Sequence, residues 1–326
     1  MKHVSILVPS GAAALSCIEG SFTGFSRANE FLVAQGKSPM FNVQLVGLTK
    51  DPQMYDRLFN VYPDKTINDP FKTDLIIIPA VNGNMKKVID ANQDFFPWIT
   101  KQYREGAEVA SLCVGTFLLA ATGLLRGKKC ATHWMAANDF RKMFPEANLI
   151  SEKIITDEHG IYSSGGANSF WNLIIYLVEK YAGREIAILC AKIYEIEIDR
   201  GSQSQFTIFT GQKEHHDEPI LKAQEFIENN FQDKITVDQL AAMFAVGRRS
   251  LERRFKKATS NTVSEYIQRV KMEAAKKSFE TSRKNINEIM DDVGYSDTKA
   301  FRTVFKRTTG LSPIEYRNKY NKEAAA

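Results

Sequence analysis

The sequence predicts two domains of different class, a doubly wound α/β domain followed by an all-α domain built around two helix-turn-helix units. Three observations lead there. Over the first 180 residues, short apolar runs alternate with helical stretches, the pattern of a parallel sheet wrapped by helices. From Pro219 onward no strand pair can be read, and amphipathic helices follow one another through short turns. Within that second part, a set of positions recurs at a fixed interval.

The elements follow in chain order. Residues 4–8, 41–46 and 74–78 read as short strands, and the continuous apolar run of the third suits a parallel strand covered on both faces. Helical stretches lie near 20–34 and 84–104. A strand over 108–112 leads at once into a helix over 116–125. Residues 129–132 and 161–163 are further strand candidates, and helices are expected over about 169–181 and 184–199. Turn formers and lost periodicity place a linker at 212–219, which leaves a first domain over 1–211 and a second over 220–320.

Bulk properties narrow the class. A length of 326 residues exceeds what one ordinary core fills and suits two. No apolar run reaches the roughly 20 residues of a membrane span, and the start goes straight into a strand without a secretory pattern. The four cysteines, Cys17, Cys113, Cys130 and Cys190, are scattered without a CxxC pair. Neither a metal site nor a disulfide framework is expected, and a reducing cytoplasm fits best. The net charge of +5 is unevenly placed. From Ile220 to Ala326 there are 21 Lys and Arg against 14 Asp and Glu, while the rest of the chain has 22 against 24. The basic excess therefore lies wholly in the last third, as expected if that part meets a polyanion.

The repeat carries more weight. Leu251, Phe255, Thr259, Glu265 and Tyr266 recur as Phe301, Phe305, Thr309, Glu315 and Tyr316, always 50 positions on, and Leu240 matches Ile289 at 49. Each copy reads as a short helix, a tight turn, a basic helix, a polar stop and a Glu-Tyr pair. In the first copy Val246-Gly247 is expected to make the turn, with Gly247 giving the tight backbone path. Leu251, Phe255 and Ala258 then face a small core. Arg248, Arg249, Ser250, Arg253, Lys256 and Lys257 are left for the outer face. In the second copy Gly294-Tyr295 makes the turn, Ser296 is the expected N-cap, and Phe301, Val304 and Phe305 face inward. Asp297, Thr298, Lys299, Arg302, Lys306 and Arg307 remain outside. A cationic helix with an apolar back, entered through a tight turn, is suited to the DNA major groove. Arginine there can bridge guanine O6 and N7, and later lysines and arginines reach phosphates. Residues 264–279 are long enough for a rigid helix between the units, which could set them into successive grooves roughly 34 Å apart.

The tail over about 220–320 resembles the AraC/XylS family of transcription regulators. The residues that carry the resemblance are Val293-Gly-Tyr-Ser-Asp297, Phe301-Arg-Thr-Val-Phe305 and Thr309-Gly-Leu-Ser-Pro-Ile-Glu-Tyr-Arg317. It implies seven helices, double-stranded promoter DNA as partner and, for an activator, RNA polymerase. Two departures stand out. Ser260-Asn261 replaces Gly310-Leu311, with Asn261 expected to tolerate the left-handed cap. Gly247-Arg248 replaces a more usual Ser-Pro entry.

In the first domain, 108–112 followed by Cys113-Val114-Gly115 and a helix has the form of a nucleophile elbow, where a helix N-terminus can lower a thiol pKa. With Ala120 to Leu125, Gly127, Ala131-Thr-His-Trp134, Phe25 to Glu30 and Ser163-Ser-Gly-Gly166, nearly the whole chain resembles the GlxA-type regulators. These join a flavodoxin-like, PfpI/amidotransferase-like domain to an AraC-type tail. The resemblance implies an effector pocket near Cys113, Val114, His133, Trp134, Gly165 and Gly166, a small nitrogenous effector (an amine, betaine or amino acid), and a homodimer. Trp134 and Trp171 could stack on a cation there or belong to the core. In enzymes of this fold the cysteine works with a histidine and a carboxylate. His133 matches the first, but Leu15-Ser-Cys-Ile18 carries no acid and Glu19 is out of place. The expectation is a sensor with a vestigial elbow, no enzyme and no cofactor, with an enzyme of the PfpI or isonitrile hydratase type as the alternative.

Overall fold

The computed structural model describes residues 1–321 apart from 12, 56–58 and 199–200. They divide into two compact units, Met1–Gln203 and Ser204–Ala326. In the first, the strands are β1 (Lys2–Val8), β2 (Phe41–Gly47), β3 (Gln53–Tyr55), β4 (Phe59–Val61), β5 (Lys65–Thr66), β6 (Leu75–Ile78), β7 (Glu108–Ser111), β8 (Lys129–Cys130), β9 (Asn148–Leu149), β10 (Ile155–Asp157) and β11 (Ile161–Ser164). The helices are α1 (Leu15–Ala34), α2 (Met85–Ala91), α3 (Phe95–Arg104), α4 (Thr116–Ala121), α5 (Ala137–Met143), α6 (Phe170–Ala182) and α7 (Arg184–Ile193).

The main sheet has the order β10-β11-β7-β6-β1-β2-β5. Every pairing in it is parallel except β10 with β11. Val4, Ile6, Leu75, Ile76, Ile77, Ile78, Val109 and Ala110 are all fully buried, as strands covered on both faces require. Helices α1, α6 and α7 pack together, and α4 contacts α2 and α3. The carboxyl ends of β1, β6, β7 and β11 deliver Pro9, Pro79, Leu112 and Gly165 to one edge, where ligands of doubly wound sheets bind. Several bounds depart from the sequence reading: the helix expected over 84–104 is broken into α2 and α3, the one expected over 116–125 stops at Ala121, and the strand expected over 129–132 is only Lys129–Cys130. The helix expected near 20–34 starts at Leu15, the one expected from 184 ends at Ile193, and the β3–β4 ribbon and β10 were not foreseen. Residues 199 and 200 lie outside the described residues.

The second unit is helical: α8 (Glu218–Asn229), α9 (Val237–Met243), α10 (Arg248–Thr259), α11 (Val263–Thr281), α12 (Ile286–Asp292), α13 (Thr298–Thr309) and α14 (Pro313–Tyr320). It holds two small cores. Leu240, Leu251, Phe255 and Tyr266 centre the first, and Ile289, Phe301, Phe305 and Tyr316 the second. Residues 205–217 belong to this unit. Phe209 packs on the first core and edge-on to Tyr266, and Asp217 pairs with Arg254.

Candidate nucleic-acid interface and effector cleft

Each repeated residue has the same task in both copies. Phe255 and Phe305 meet the rings of Tyr266 and Tyr316 edge-on, with centroids 5.2 and 5.4 Å apart. Thr259 and Thr309 donate Oγ1 to Phe255 O and Phe305 O and accept from the N–H of Asn261 and Leu311, which shapes the helix stop. Glu265 and Glu315 complete capping boxes with Thr262 and Ser312. The Tyr266 hydroxyl donates to Glu228 at 2.6 Å, and Tyr316 donates to Glu280.

Helices α10 and α13 bury Leu251, Phe255, Phe301 and Phe305 and turn their basic residues outward. On α10, Arg248, Arg249, Arg253, Lys256 and Lys257 are exposed and Ser250 is half-buried. They are not equivalent. Arg248 Nη1 lies 2.9 Å from Asp238 Oδ2 and its Nε 3.6 Å from Glu252, and Lys256 Nζ donates to Ser260 O at 3.1 Å. Arg249, Arg253 and Lys257 carry no side-chain ion pair or hydrogen bond among the described residues. On α13, Lys299, Arg302 and Lys306 are likewise exposed without such partners, Thr298 is half-buried, and Arg307 is hydrogen-bonded to Gln268. Arg254, which the outward set omitted, is turned aside by Asp217.

The turns correct three expectations. Gly247 does not make the tight backbone path. It is extended at φ −60°, serves as the N-cap of α10 without a side-chain bond, and Ala245 at φ +51° takes the left-handed position. The equivalent residue, 49 positions on, is Gly294 at φ +70°. Ser296 does not cap α13. Asp297 does, accepting from the N–H of Lys299 and Ala300 at 2.8 and 3.1 Å, because its carboxylate reaches the second and third amides of the helix. The left-handed stop of α10 is Ser260 at φ +58°, while Asn261 is buried with its amide bonded to Thr259 O.

At the carboxyl end of β7, Cys113 at φ +54° opens a 3-10 turn, Cys113–Gly115, that runs into α4. Gly115 is required there, since a Cβ would stand 2.4 Å from Pro79 O and 2.7 Å from Ile78 O. The shape is that of a nucleophile elbow, and the electrostatics are not. Burial, reinforced by the neighbouring Cys17 thiol, pushes the Cys113 thiol up to about 12 despite the Val114 N–H directed at it. The lowering expected from a helix N-terminus is overridden by desolvation. Cys113 N–H donates to Ser164 Oγ at 3.3 Å, and its carbonyl accepts from Thr116 and Thr132.

The other pocket residues are spent on structure. His133 Nδ1 accepts from Met135 N–H at 3.2 Å and its ring lies 5.4 Å from that of Trp134; burial lowers its pKa. Among the described residues no hydrogen bond joins His133 to Cys113. Glu19 is exposed on α1 and accepts from Thr23. Trp171 stacks on Tyr194 at 4.4 Å and presses on Gly20 and Gly24, a core role. A residue the sequence reading overlooked packs among the pocket residues. Gln203, 1% exposed, donates Nε2 to Thr132 O at 2.9 Å and Ser151 O at 2.7 Å, and occupies the space beside Gly165 where a Cβ would be 2.3 Å from its nitrogen. Gly166 lies against Ser169. Among the described residues no cluster of His, Cys, Asp or Glu could hold a metal, and no helix is long and apolar enough to cross a membrane.

Comparison with known proteins agrees with both halves. A DJ-1/PfpI family model matches residues 31–180, and a helix-turn-helix domain model matches 240–319. The chain joins a DJ-1/PfpI domain to an AraC-type helix-turn-helix domain. It is similar to the HTH-type transcriptional regulator GbdR of Pseudomonas aeruginosa, 24% identical over 79% of this chain and 69% of that protein. The HTH-type transcriptional regulator CdhR of the same species is 21% identical over 91% of this chain and 88% of that one. In fold, an AraC family transcriptional regulator from Pseudomonas putida superposes with a TM-score of 0.51 at 14% identity, covering 60% of this chain and all of that structure. The helix-turn-helix domain and the relatives named as transcriptional regulators together make DNA-binding regulation of transcription the function.

Proposed function

We propose that this regulator lays α10 and α13 into successive major grooves of double-stranded promoter DNA. The observation that carries the reading is the doubled cationic face, Arg249, Arg253 and Lys257 on one helix and Lys299, Arg302 and Lys306 on the other. Each face is held by an aromatic core and, among the described residues, these six side chains make no ion pair. Exposed guanidinium and ammonium groups on a preorganised helix remain available to phosphates and base edges. The Asp297 carboxylate caps its helix with one oxygen, so its contribution is to fix the entry of α13, with Thr298 and Lys299 beside the groove. On the same footing Arg248 and Lys256, already paired, serve the phosphate backbone.

A small metabolite bound near Cys113, Val114, His133, Trp134, Gly165 and Gly166 would have to displace the Gln203 carboxamide. Gln203 is the last residue of the first unit, and the next residues pack on the second, so displacement is a short path for a signal. An amine or an amino acid brings N–H donors for the carbonyl acceptors that Gln203 now occupies, whereas a betaine, with no N–H, would meet them through its charge alone. A homodimer in the cytoplasm, acting on RNA polymerase if an activator, completes the reading.

The test is binding of the full-length chain to a DNA pool in which a duplex segment is randomised. Salt-sensitive, sequence-selective binding that is weakened by Arg249→Ala and Arg302→Ala supports the assignment. Retention of wild-type affinity by both variants overturns it.

A further inference from the structure

Two helix-turn-helix units joined by one long helix could turn relative to each other about its ends. A second contact between them prevents this. The turn of the second unit rests on the loop between α8 and α9 of the first, so closely that a Cβ on Gly294 would stand 1.9 Å from Gln232 O. The connecting helix supplies the pin. Lys271 on α11 is 8% exposed, and its Nζ donates to Gly294 O at 3.2 Å and to Asp233 O at 3.4 Å. The same nitrogen lies 5.6 Å from the centroid of the Tyr295 ring. One cation thus ties the connecting helix, the first unit's loop and the second unit's turn.

Burying an ammonium group without a carboxylate hydrogen-bonded to it costs free energy, and burial accordingly lowers the Lys271 pKa. A plain packing position would be filled more cheaply by Met or Leu. What a lysine adds is direction, because three donors on one atom satisfy carbonyls from two segments at once.

We propose that the Lys271–Gly294 joint sets the spacing of the two DNA half-sites that this chain accepts. Lys271 is a positioning residue and touches no DNA. It fixes the angle between α10 and α13, and therefore how many base pairs separate the bases each helix reads. The proposal rests on the two-groove reading above.

The experiment first selects a preferred duplex for the full-length wild-type chain from a randomised pool. It then measures affinity for versions of that duplex with one base pair inserted or removed between the half-sites. One base pair turns the second half-site by about 35°, which a rigid pair of helices cannot follow, so the wild type is expected to lose about tenfold or more in affinity. Lys271→Met and Gly294→Ala are expected to flatten this profile to about threefold or to move its optimum by one base pair. Lys271→Arg, which keeps a cation with several donors, is expected to retain the wild-type optimum. Affinity for a duplex carrying one half-site, measured in parallel, reports that each unit is folded. If Lys271→Met and Gly294→Ala keep both the optimum and the steepness of the wild type, the joint does not set spacing. A wild type that binds no duplex would instead overturn the two-groove reading.

Discussion

Arg254 grips Asp217 with two parallel bonds, Nε to Oδ2 at 2.8 Å and Nη2 to Oδ1 at 2.5 Å, drawing one of the arginines of α10 away from solvent. A fork-to-carboxylate pair of this kind is geometrically specific. The hydrogen bond from Arg254 holds the Asp217 carboxyl below its usual range. A depressed carboxyl contributes stability above its unfolded pKa, about 3.9, and loses it as pH falls through the folded value. Arg254→Ala is expected to lower the thermal midpoint at pH 7, with the difference from wild type shrinking below about pH 4. An unchanged midpoint at pH 7 would remove the pair from the stability account.

Arg249→Ala and Arg302→Ala are each expected to weaken the selected duplex by about 1–3 kcal/mol and to relax base preference at one position. Lys306→Ala, near the end of α13, is expected to weaken all duplexes alike and to reduce the salt slope by about one. Titrations at several salt concentrations separate the two behaviours.

With its thiol pushed up to about 12, Cys113 stays protonated at neutral pH. Iodoacetamide is expected to leave it unmodified in the folded chain and to label it in urea, and Cys113→Ala is expected to bind DNA as the wild type does. The sign of the pH dependence follows from the raised value. The neutral thiol favours the folded state, and this contribution fades as pH rises from about 9, where the unfolded thiol ionises, towards about 12. Rapid labelling of native Cys113 at pH 7 would return the elbow to the reactive class.

Gly115→Ala is expected to cost about 1–3 kcal/mol in urea unfolding, since its Cβ would collide with two backbone carbonyls that cannot move aside. Gly247→Ala serves as the control, because nothing lies within 4 Å of its Cβ position and its φ is ordinary.

Much of this was legible from the chain alone, for identifiable reasons. The interval of 50 marks residues whose tasks are local, such as a capping Glu265 or a core Phe305, and local tasks leave a sequence signature. The elbow was legible in shape, since Gly115 follows Cys113 at a strand end. Its chemistry was not, because the pKa of Cys113 depends on burial and on Cys17, which lies 96 positions away in sequence. Gln203 was missed for a related reason. A glutamine in a stretch of turn formers gives no hint that its amide bonds to carbonyls 52 and 71 residues earlier. Ala245 escaped notice because Gly247, two residues on, looked the better candidate for a left-handed turn. Lys271 read as one more basic residue, since nothing in its neighbours announces that both its acceptors lie in other segments.

Where the second copy uses Gly294 and Gly310, the first holds Ala245 and Ser260 in the same left-handed backbone, at a cost of about 1 kcal/mol each. The two halves of the reader are thus unequal springs. The one nearer the first domain in sequence is under tension in the turn before its recognition helix and at that helix's stop, and should melt first on heating. Amide exchange in α9 and α10 is expected to outpace that in α12 and α13, and relaxing both sites with glycine should bring the pair level.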